Sequence, residues 1–580
     1  MNLFLRWRLF FRYDMKRYHT LIFPVVLSAL VLGLMAVQPV QSQRVPGMRN
    51  SQYRLSSDIP SPQTLNVNKV PLSHEDSLAA LLRLQTNIQA LLAEHDRTFV
   101  KSKTQFGLAV YSLQQGKEYF ALNPAQPLTP ASTTKLFSTF AAFDKFGASY
   151  SIETLVLTDA LEVRDGVLDG NIYLVGHGDP LLDIGDLEQL SYQLFNAGVR
   201  RITGGIYGDD GFFDRVTSRR EYSGDNEEVQ PTAPISALSV QRNLITVIVS
   251  AGGVVGKPVH VQTFPSCDAF DFDIRATVAV PAKAVKKRRK APARAGLSIS
   301  EIYGQKGGKQ RFAIQGTLAP NSSVSRVFFI EQPAFVAADM FKKRIESSGI
   351  VVEGSSGLKS SPSTVSELAS FHRPLVDVVN IINKKSDNFC AEHLFKMIGG
   401  GKIDAAVPEL AAKDNHTVQA SAEQLQASLR QYGIVGSSTP SVQIFDGSGL
   451  SRRNKIAPLT MLRLLENVQN APFANEFLNA FAIAGLDGTL QYRMRGTTAE
   501  YNVHAKTGTH KNVSALAGYI RTLDGERLMF SFIFNGNAVW LYKGLENKLC
   551  QLLANFSYYT PKETPAGLDS TDVEAGKELN

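Results

Sequence analysis

The stretch Pro130-Ala131-Ser132-Thr133-Thr134-Lys135 leads into Leu136, Phe137, Phe140, Ala141, Ala142, Phe143 and Phe146 and stops at Gly147. Apolar side chains on more than one face predict a helix buried on most sides rather than one lying on a surface. Proline suits the first helical position because its missing N–H would be unpaired there. Glycine suits the stop, since it accepts the left-handed conformation that ends many helices. Three positions apart, Ser132 and Lys135 share one side of the first turn. A serine so placed can act as a nucleophile, with the lysine beside it taking its proton. Ser-x-x-Lys is common by chance, so its meaning depends on what the rest of the chain supplies.

Two further motifs follow in order. Ser386-Asp387-Asn388 stands between helical segments near Val376–Ile382 and Asn388–Ile398, and Lys506-Thr507-Gly508-Thr509 lies in a strand that begins near Val503. Each residue type has a chemical reason to be there. A serine at a helix start sits in a field that favours developing negative charge. Lys135 serves as base only if burial and neighbouring cations lower its proton affinity. Lys506 can be that second cation and can also hold a substrate carboxylate. Ser386 offers a hydroxyl to relay a proton to a leaving amine. Asn388 has donors and an acceptor for a substrate amide and for Lys135. Gly508 lets backbone and substrate approach closely. The backbone N–H groups of Ser132 and Thr509 form an oxyanion hole, in which one donor typically contributes ~3 kcal/mol to acyl transfer.

The chain organises around these motifs. An amphipathic helix is expected over 78–93, then strands over 106–113 and 117–122 joined at Gln115-Gly116. After Tyr150 come short alternating strands (154–158, 171–175, 246–250, 259–263), many glycines and a helix over 187–198. Helices return over 334–347, and again over 459–467 and 475–484. Strands over 513–519 and 528–534 complete a five-stranded antiparallel sheet built from both ends of the chain. Gly176-His177-Gly178-Asp179-Pro180 lacks the spacing and the lysine of a phosphate loop and reads as a structural turn. Asp209-Asp210 reads as a turn former rather than a metal site. Cys390 and His393 have no second ligand pair nearby and read as packing residues. His504 and His510 flank the third motif as strand and turn residues.

At the amino terminus, basic residues up to Arg17 precede 17 uncharged residues over 21–37 and then short side chains at Val40 and Ser42. This pattern predicts an export signal over 1–42, cut after Ser42, with an uncleaved anchor as the alternative. Met15 offers a second start for a shorter signal. Residues 43–75 read as a polar linker and 561–580 as a disordered tail. The net charge of +8 is local: the signal region is basic, and Lys283, Lys286, Lys287, Arg288, Arg289, Lys290 and Arg294 form a cluster. Elsewhere acidic residues slightly outnumber basic ones, which argues against a nucleic-acid partner. The cluster can attract an anionic envelope surface. Cys267, Cys390 and Cys550 are too few and too scattered for a disulfide framework.

Taken together, the ordered triple at 132, 386 and 506 resembles that of penicillin-binding proteins and class A β-lactamases. The chain most resembles the class C low-molecular-mass penicillin-binding proteins, the D-alanyl-D-alanine carboxypeptidase/endopeptidase family, from about residue 80 to 555. The stretches Ala233-Pro234-Ile235-Ser236-Ala237-Leu238, Asp446-Gly447-Ser448-Gly449-Leu450-Ser451-Arg452 and Gly485-Leu486-Asp487-Gly488-Thr489-Leu490 carry the likeness beyond the motifs. The resemblance implies an α/β (α+β) transpeptidase-like, β-lactamase-like domain over 76–155 and 330–560, split by a β-rich insertion over 156–329. It also implies a periplasmic serine peptidase acting on peptidoglycan stem peptides, with β-lactams as covalent inhibitors and no metal or cofactor. Ser132, Lys135, Ser386 and Asn388 are the expected catalytic residues; Lys506, Thr507, Gly508 and Thr509 are the expected substrate-binding ones. A serine β-lactamase shares the serine and lysine, but the long separation between the first two motifs argues against it. The intact motifs argue against a non-catalytic wall-binding scaffold. The basic cluster departs from the family pattern.

Overall fold

The computed structural model describes residues 73–279, 296–306, 308–400, 416–436 and 442–559. The expected signal over 1–42, most of the expected linker, the basic cluster within 283–294 and the tail over 561–580 lie outside the described residues. Ser73 caps a helix over His74–Ala93, its Oγ accepting the Asp76 N–H at 3.0 Å. The helix expected from Leu78 therefore begins a turn sooner, inside the stretch assigned to the linker.

At the centre is an antiparallel sheet whose strands run, edge to edge, Lys117–Leu122, Gln105–Ser112, Arg527–Asn535, Val513–Arg521, His504–His510 and Ala482–Ile483. Alternation along the strands separates its faces. Leu108, Val110, Phe530, Phe532 and Phe534 pack with the helices His74–Ala93 and Val539–Ala554. Ala109, Ala517, Tyr519 and Met529 face the opposite layer, which holds the helices Lys135–Phe146, Leu375–Lys385, Asn388–Gly399 and Pro458–Val468. With helices on both faces, Val513–Ile520 is buried throughout, as a near-continuous apolar strand requires. Five of the six strands are those expected. The sixth, Ala482–Ile483, falls where the sequence predicts the end of a helix over 475–484. That helix stops at Asn479. Asp487 Oδ1 then accepts the Ile483 N–H at 2.8 Å and holds the short strand against Ala505 and His504.

The helix behind Ser132 is buried as its pattern predicts, with Leu136, Phe137, Phe140 and Ala141 wholly inside. Phe140 meets the rings of Tyr432 and Phe473 edge-on at 5.0 and 5.5 Å. Its start differs from expectation. Residues Ala131–Thr134 form a 3₁₀ turn, and the α-helix begins only at Lys135, so Pro130 is not its first residue. Ala131 sits at φ +49°, and the hydroxyls of Thr133 and Thr134 donate back to Pro130 O and Ala131 O, both at 2.8 Å. These local bonds compete with the α-helical ladder and tighten the turn. Gly147, at φ +81°, ends the helix as expected.

A second core lies in the insertion. A five-stranded sheet, ordered Ser356–Leu358, Ile206–Asp209, Ile172–Gly176, Ser151–Thr158 and Ser366–Pro374, packs with the helices Ile184–Asn196 and Pro333–Ser347. Smaller sheets from residues 244–329, and one of four short strands, Val351–Val352, Arg201–Ile202, Val167–Leu168 and Val163–Arg164, complete it. Elements on both sides of the expected boundaries at 156 and 330 pack together. Ala337, Met340 and Phe341 belong to this second core, and Ser151 pairs with Pro374 across two adjacent strands. Leu375 N–H then bonds Tyr150 O at 2.9 Å, so the chain leaves and rejoins the first core at one point. By packing, the insertion spans 151–374.

One piece of it does not stay there. Phe213, Tyr222, Ala233 and Ile235 pack in the core around the helix Lys135–Phe146. Asp214 anchors this return, accepting Lys396 Nζ at 2.7 Å with both side chains fully buried, and also the Thr417 N–H at 2.9 Å. Removing one partner of such a pair leaves an uncompensated buried charge. Asp214→Ala is therefore expected to lower unfolding free energy by about 3–5 kcal/mol in urea titrations, and adding Lys396→Met is expected to restore part of it.

Candidate active site

The three motifs, far apart in sequence, converge on the start of the helix Lys135–Phe146. The 3₁₀ turn presents Ser132 three positions before Lys135, and Lys135 Nζ donates to Ser132 Oγ at 2.9 Å. The same nitrogen donates to Asn388 Oδ1 at 2.8 Å and to the Ser448 carbonyl at 2.5 Å. An ammonium has three protons and here three acceptors. A neutral amine would keep two of these bonds and turn its lone pair to the third. Lys135 is wholly buried. Burial lowers its pKa to about 8, against the opposing charges of Glu392, Asp446 and Asp387.

The second motif is a joint between two helices. Leu375–Lys385 ends at Ser386, which adopts φ +59°, ψ +38°. Asp387 then caps Asn388–Gly399 by accepting the Cys390 N–H at 2.9 Å. Its other oxygen takes Arg242 of the insertion at 2.6 Å. The joint thus sets Ser386 and Asn388, both half-buried, at the start of a helix whose body is buried. Lys384 ties it to the loop after Ala482–Ile483 through Asp487 at 2.6 Å.

On the strand His504–His510, Lys506 donates to Ser386 Oγ at 2.8 Å and to Thr507 O at 2.9 Å. Lys506 too is wholly buried, and burial followed by repulsion from Lys135 takes it well below its ordinary value. Gly508 is required by closeness: a Cβ there would stand 2.5 Å from Pro130 O and 3.3 Å from the Ala131 Cβ. Its neighbour is the turn carrying Ser132, a more specific reason than the sequence alone offers. Thr507 Oγ1 donates to Thr489 Oγ1 at 2.8 Å. Thr509 is exposed, opposite Ser514 in the register.

Several contributors lie outside the expected catalytic and substrate-binding residues. The glycine-rich loop from Asp446 supplies the Ser448 carbonyl, and Ser138 Oγ donates to Gly447 O at 3.0 Å. Glu392 accepts the N–H groups of Gly447 and Ser448 at 3.1 and 2.9 Å. Asn388 and Glu392 are four apart on one helix, and that spacing was the legible signal. Asn388 Nδ2 donates to Gln230 of the insertion at 3.2 Å.

The remaining candidates are structural. His393 lies between Phe389 O and Ser239 Oγ, both at 2.9 Å, and burial takes it to about 3. His510 meets Gly449 O at 2.7 Å, and burial lowers both it and His504. Asp209 accepts from the Gly211 N–H and from Ser361, while Asp210 accepts from Ser236. Gly178, at φ +97°, packs against Met397 and Phe213, and the buried Asp179 pairs with Arg373. Among the described residues no group of three or more metal-ligating side chains occurs, and no helix is long and apolar enough to cross a membrane.

A family model described as D-Ala-D-Ala carboxypeptidase 3 (S13) matches residues 84–556. The chain belongs to that family. It is 29% identical over 517 residues to a D-alanyl-D-alanine carboxypeptidase of an Actinomadura species, covering 87% of this chain and 90% of the relative. It is 27% identical over 435 residues to a D-alanyl-D-alanine carboxypeptidase of Haemophilus influenzae, covering 74% and 85%. The crystal structure of penicillin binding protein 4 from Haemophilus influenzae superposes with a TM-score of 0.60 at 24% identity, over 80% of this chain and 99% of the other. That last likeness is one of fold. As a member of the D-Ala-D-Ala carboxypeptidase 3 family the chain is a serine-type carboxypeptidase, the class that the resemblance at residues 132, 386 and 506 implies.

Proposed function

We propose that Ser132 is the nucleophile and Lys135 its base in the hydrolysis of D-Ala–D-Ala, or D-Ala–diamino acid, bonds of peptidoglycan stem peptides. The observation that carries this reading is the Ser132–Lys135 contact of 2.9 Å at a lysine that burial brings to about 8. The neutral amine takes the hydroxyl proton as Oγ attacks the carbonyl carbon. The N–H groups of Ser132 and Thr509 stabilise the oxyanion. As the C–N bond breaks, Ser386, bridged to Lys506, passes a proton to the leaving amine, and the proton that Lys135 took from Ser132 replaces it. Water then attacks the seryl ester, its proton passing through Lys135 to Ser132 Oγ as that C–O bond breaks, and the shortened peptide is released. Asn388 orients the substrate amide, and Lys506, Thr507 and Thr509 hold the terminal carboxylate beside the close-packed Gly508. A β-lactam presents the same carbonyl and acylates Ser132, but its leaving group stays tethered. The setting is the cell envelope outside the inner membrane, reached through the signal over 1–42. The cluster within 283–294 adds attraction to anionic surfaces there.

Acylation needs Lys135 neutral, so its rate is expected to fall roughly tenfold per pH unit below about 8 and to level off above it. Stopped-flow labelling with a fluorescent penicillin reads this profile. Lys135→Ala acylating at near wild-type rate would remove the lysine from the role of base. Digestion of purified muropeptides, read by mass, tests the substrate: loss of a terminal alanine marks carboxypeptidase action, and dimers becoming monomers marks endopeptidase action. Turnover of a chromogenic cephalosporin at tens per second would instead mark a β-lactamase.

A further inference from the structure

A carboxylate outside the three motifs acts on Lys135 through the Ser448 carbonyl and through its charge. Glu392 lies one turn beyond Asn388 on the same face of Asn388–Gly399 and is wholly buried. Both of its oxygens are used. Oε1 accepts the Ser448 N–H at 2.9 Å, and Oε2 accepts the Gly447 N–H at 3.1 Å and the Tyr222 hydroxyl at 2.8 Å. Holding those two N–H groups fixes the loop with the Ser448 carbonyl 2.5 Å from Lys135 Nζ. Tyr222 arrives on the segment of the insertion that packs back into the catalytic core. We propose that Glu392 is a positioning residue for Lys135: it seats the Ser448 carbonyl on the amine and, through its own negative charge, governs when that amine holds a proton.

The proposal rests on the reading of Lys135 as base for its consequence in catalysis, but not for the contact itself. Lys135 faces Glu392, Asp387 and Cys390 from the helix Asn388–Gly399, Asp446 from the glycine-rich loop, and Lys506 and His510 from the neighbouring strand. Glu392 faces Asp446, Arg219 and Tyr222, with Lys396 on its own helix. Among the groups acting on Lys135, Glu392 is the largest that opposes the effect of burial. Burial, with Asp446 adding to it, raises Glu392 itself to about 7. A base must hold the serine proton as well as release one. A buried lysine with no facing carboxylate would be too weakly basic to draw a proton from a hydroxyl. Gln at 392 loses the charge, and its NH₂ cannot accept the loop N–H groups.

The test titrates Lys135 directly in the full chain. Lysine labelled with ¹³C at the ε-carbon gives a titrating signal for Lys135, identified by its loss in Lys135→Arg. In Glu392→Gln the midpoint is expected to fall by about one pH unit or more, and the low-pH limb of penicillin acylation is expected to move with it. Glu392→Asp keeps the charge and is expected to return part of the shift. Tyr222→Phe removes one donor to the carboxylate, favours its neutral form, and is expected to move the midpoint the same way by less. An unmoved midpoint in folded Glu392→Gln overturns the proposal, even if activity is lost at every pH, since that is what a purely structural role would give. Should Glu392→Gln fail to fold, an unmoved midpoint in Tyr222→Phe overturns it instead. A midpoint that shifts while the acylation limb stays in place supports the control by Glu392 and removes Lys135 as base.

Discussion

Ser132→Ala is expected to abolish covalent labelling by a fluorescent penicillin and to cut alanine release from stem peptides by at least about 10⁴-fold. The melting temperature should move by no more than about 2 °C. The two expectations are separable because of how the serine is held. Its hydroxyl touches Lys135 Nζ at 2.9 Å, while that nitrogen keeps Asn388 Oδ1 and Ser448 O as acceptors when the hydroxyl is gone. The alanine variant therefore loses one half-exposed hydrogen bond, worth about 1 kcal/mol at most. On the proposed mechanism the chemistry loses its covalent partner. Mass spectrometry of the penicillin-treated protein and a thermal melt of the same sample read both outcomes. A labelled alanine variant would move the nucleophile to another residue; an unlabelled, folded wild type would leave a scaffold without chemistry.

The motifs were legible because each is local and each is tied to a local structural rule. Ser132 and Lys135 meet through a three-residue spacing, Asn388 follows a capping aspartate, and Gly508 stands where side-chain bulk is excluded. The central strands were legible for a similar reason, since alternation along 106–113 and the apolar run over 513–519 announce their environment. What the sequence could not reveal depends on contacts made across long separations. The 3₁₀ start at Ala131 is tied to Gly449 and Gly508, which press on that turn from more than 300 residues away. Where the helix Pro333–Ser347 packs was not legible, because its pattern suits either core. Ala337, Met340 and Phe341 place it against the second core, through contacts no local pattern announces. Glu392 stayed hidden because its partners, the Gly447 and Ser448 N–H groups and the Tyr222 hydroxyl, lie on two other segments. The strand Ala482–Ile483 is too short for periodicity to distinguish it from a helix end.

Gly449→Ala tests the contact that ties the glycine-rich loop to the catalytic turn. Gly449 sits at φ +82°, and a Cβ there would stand 2.0 Å from Ala131 O and 2.9 Å from Thr134 Oγ1. Neither neighbour is the free end of a flexible side chain. Ala131 O is backbone one residue before Ser132, and Thr134 Oγ1 is committed to that same carbonyl at 2.8 Å. The added methyl must push the loop and the turn apart, and with them Ser448 O and Ser132, which meet at Lys135. A displacement of about 1 Å in such an arrangement costs on the order of 10²-fold in rate. Strain at positive φ contributes about 1–2 kcal/mol of destabilisation, and the steric conflict about 1–3 kcal/mol more. Gly433→Ala separates these two contributions. Gly433 also has a positive φ, +65°, but nothing lies within 4 Å of its Cβ position. That variant is expected to lose only the backbone contribution in urea unfolding and to acylate with penicillin at the wild-type rate. Equal losses of acylation in both variants would mean that backbone strain, and not the approach of the loop to the turn, is what the site depends on.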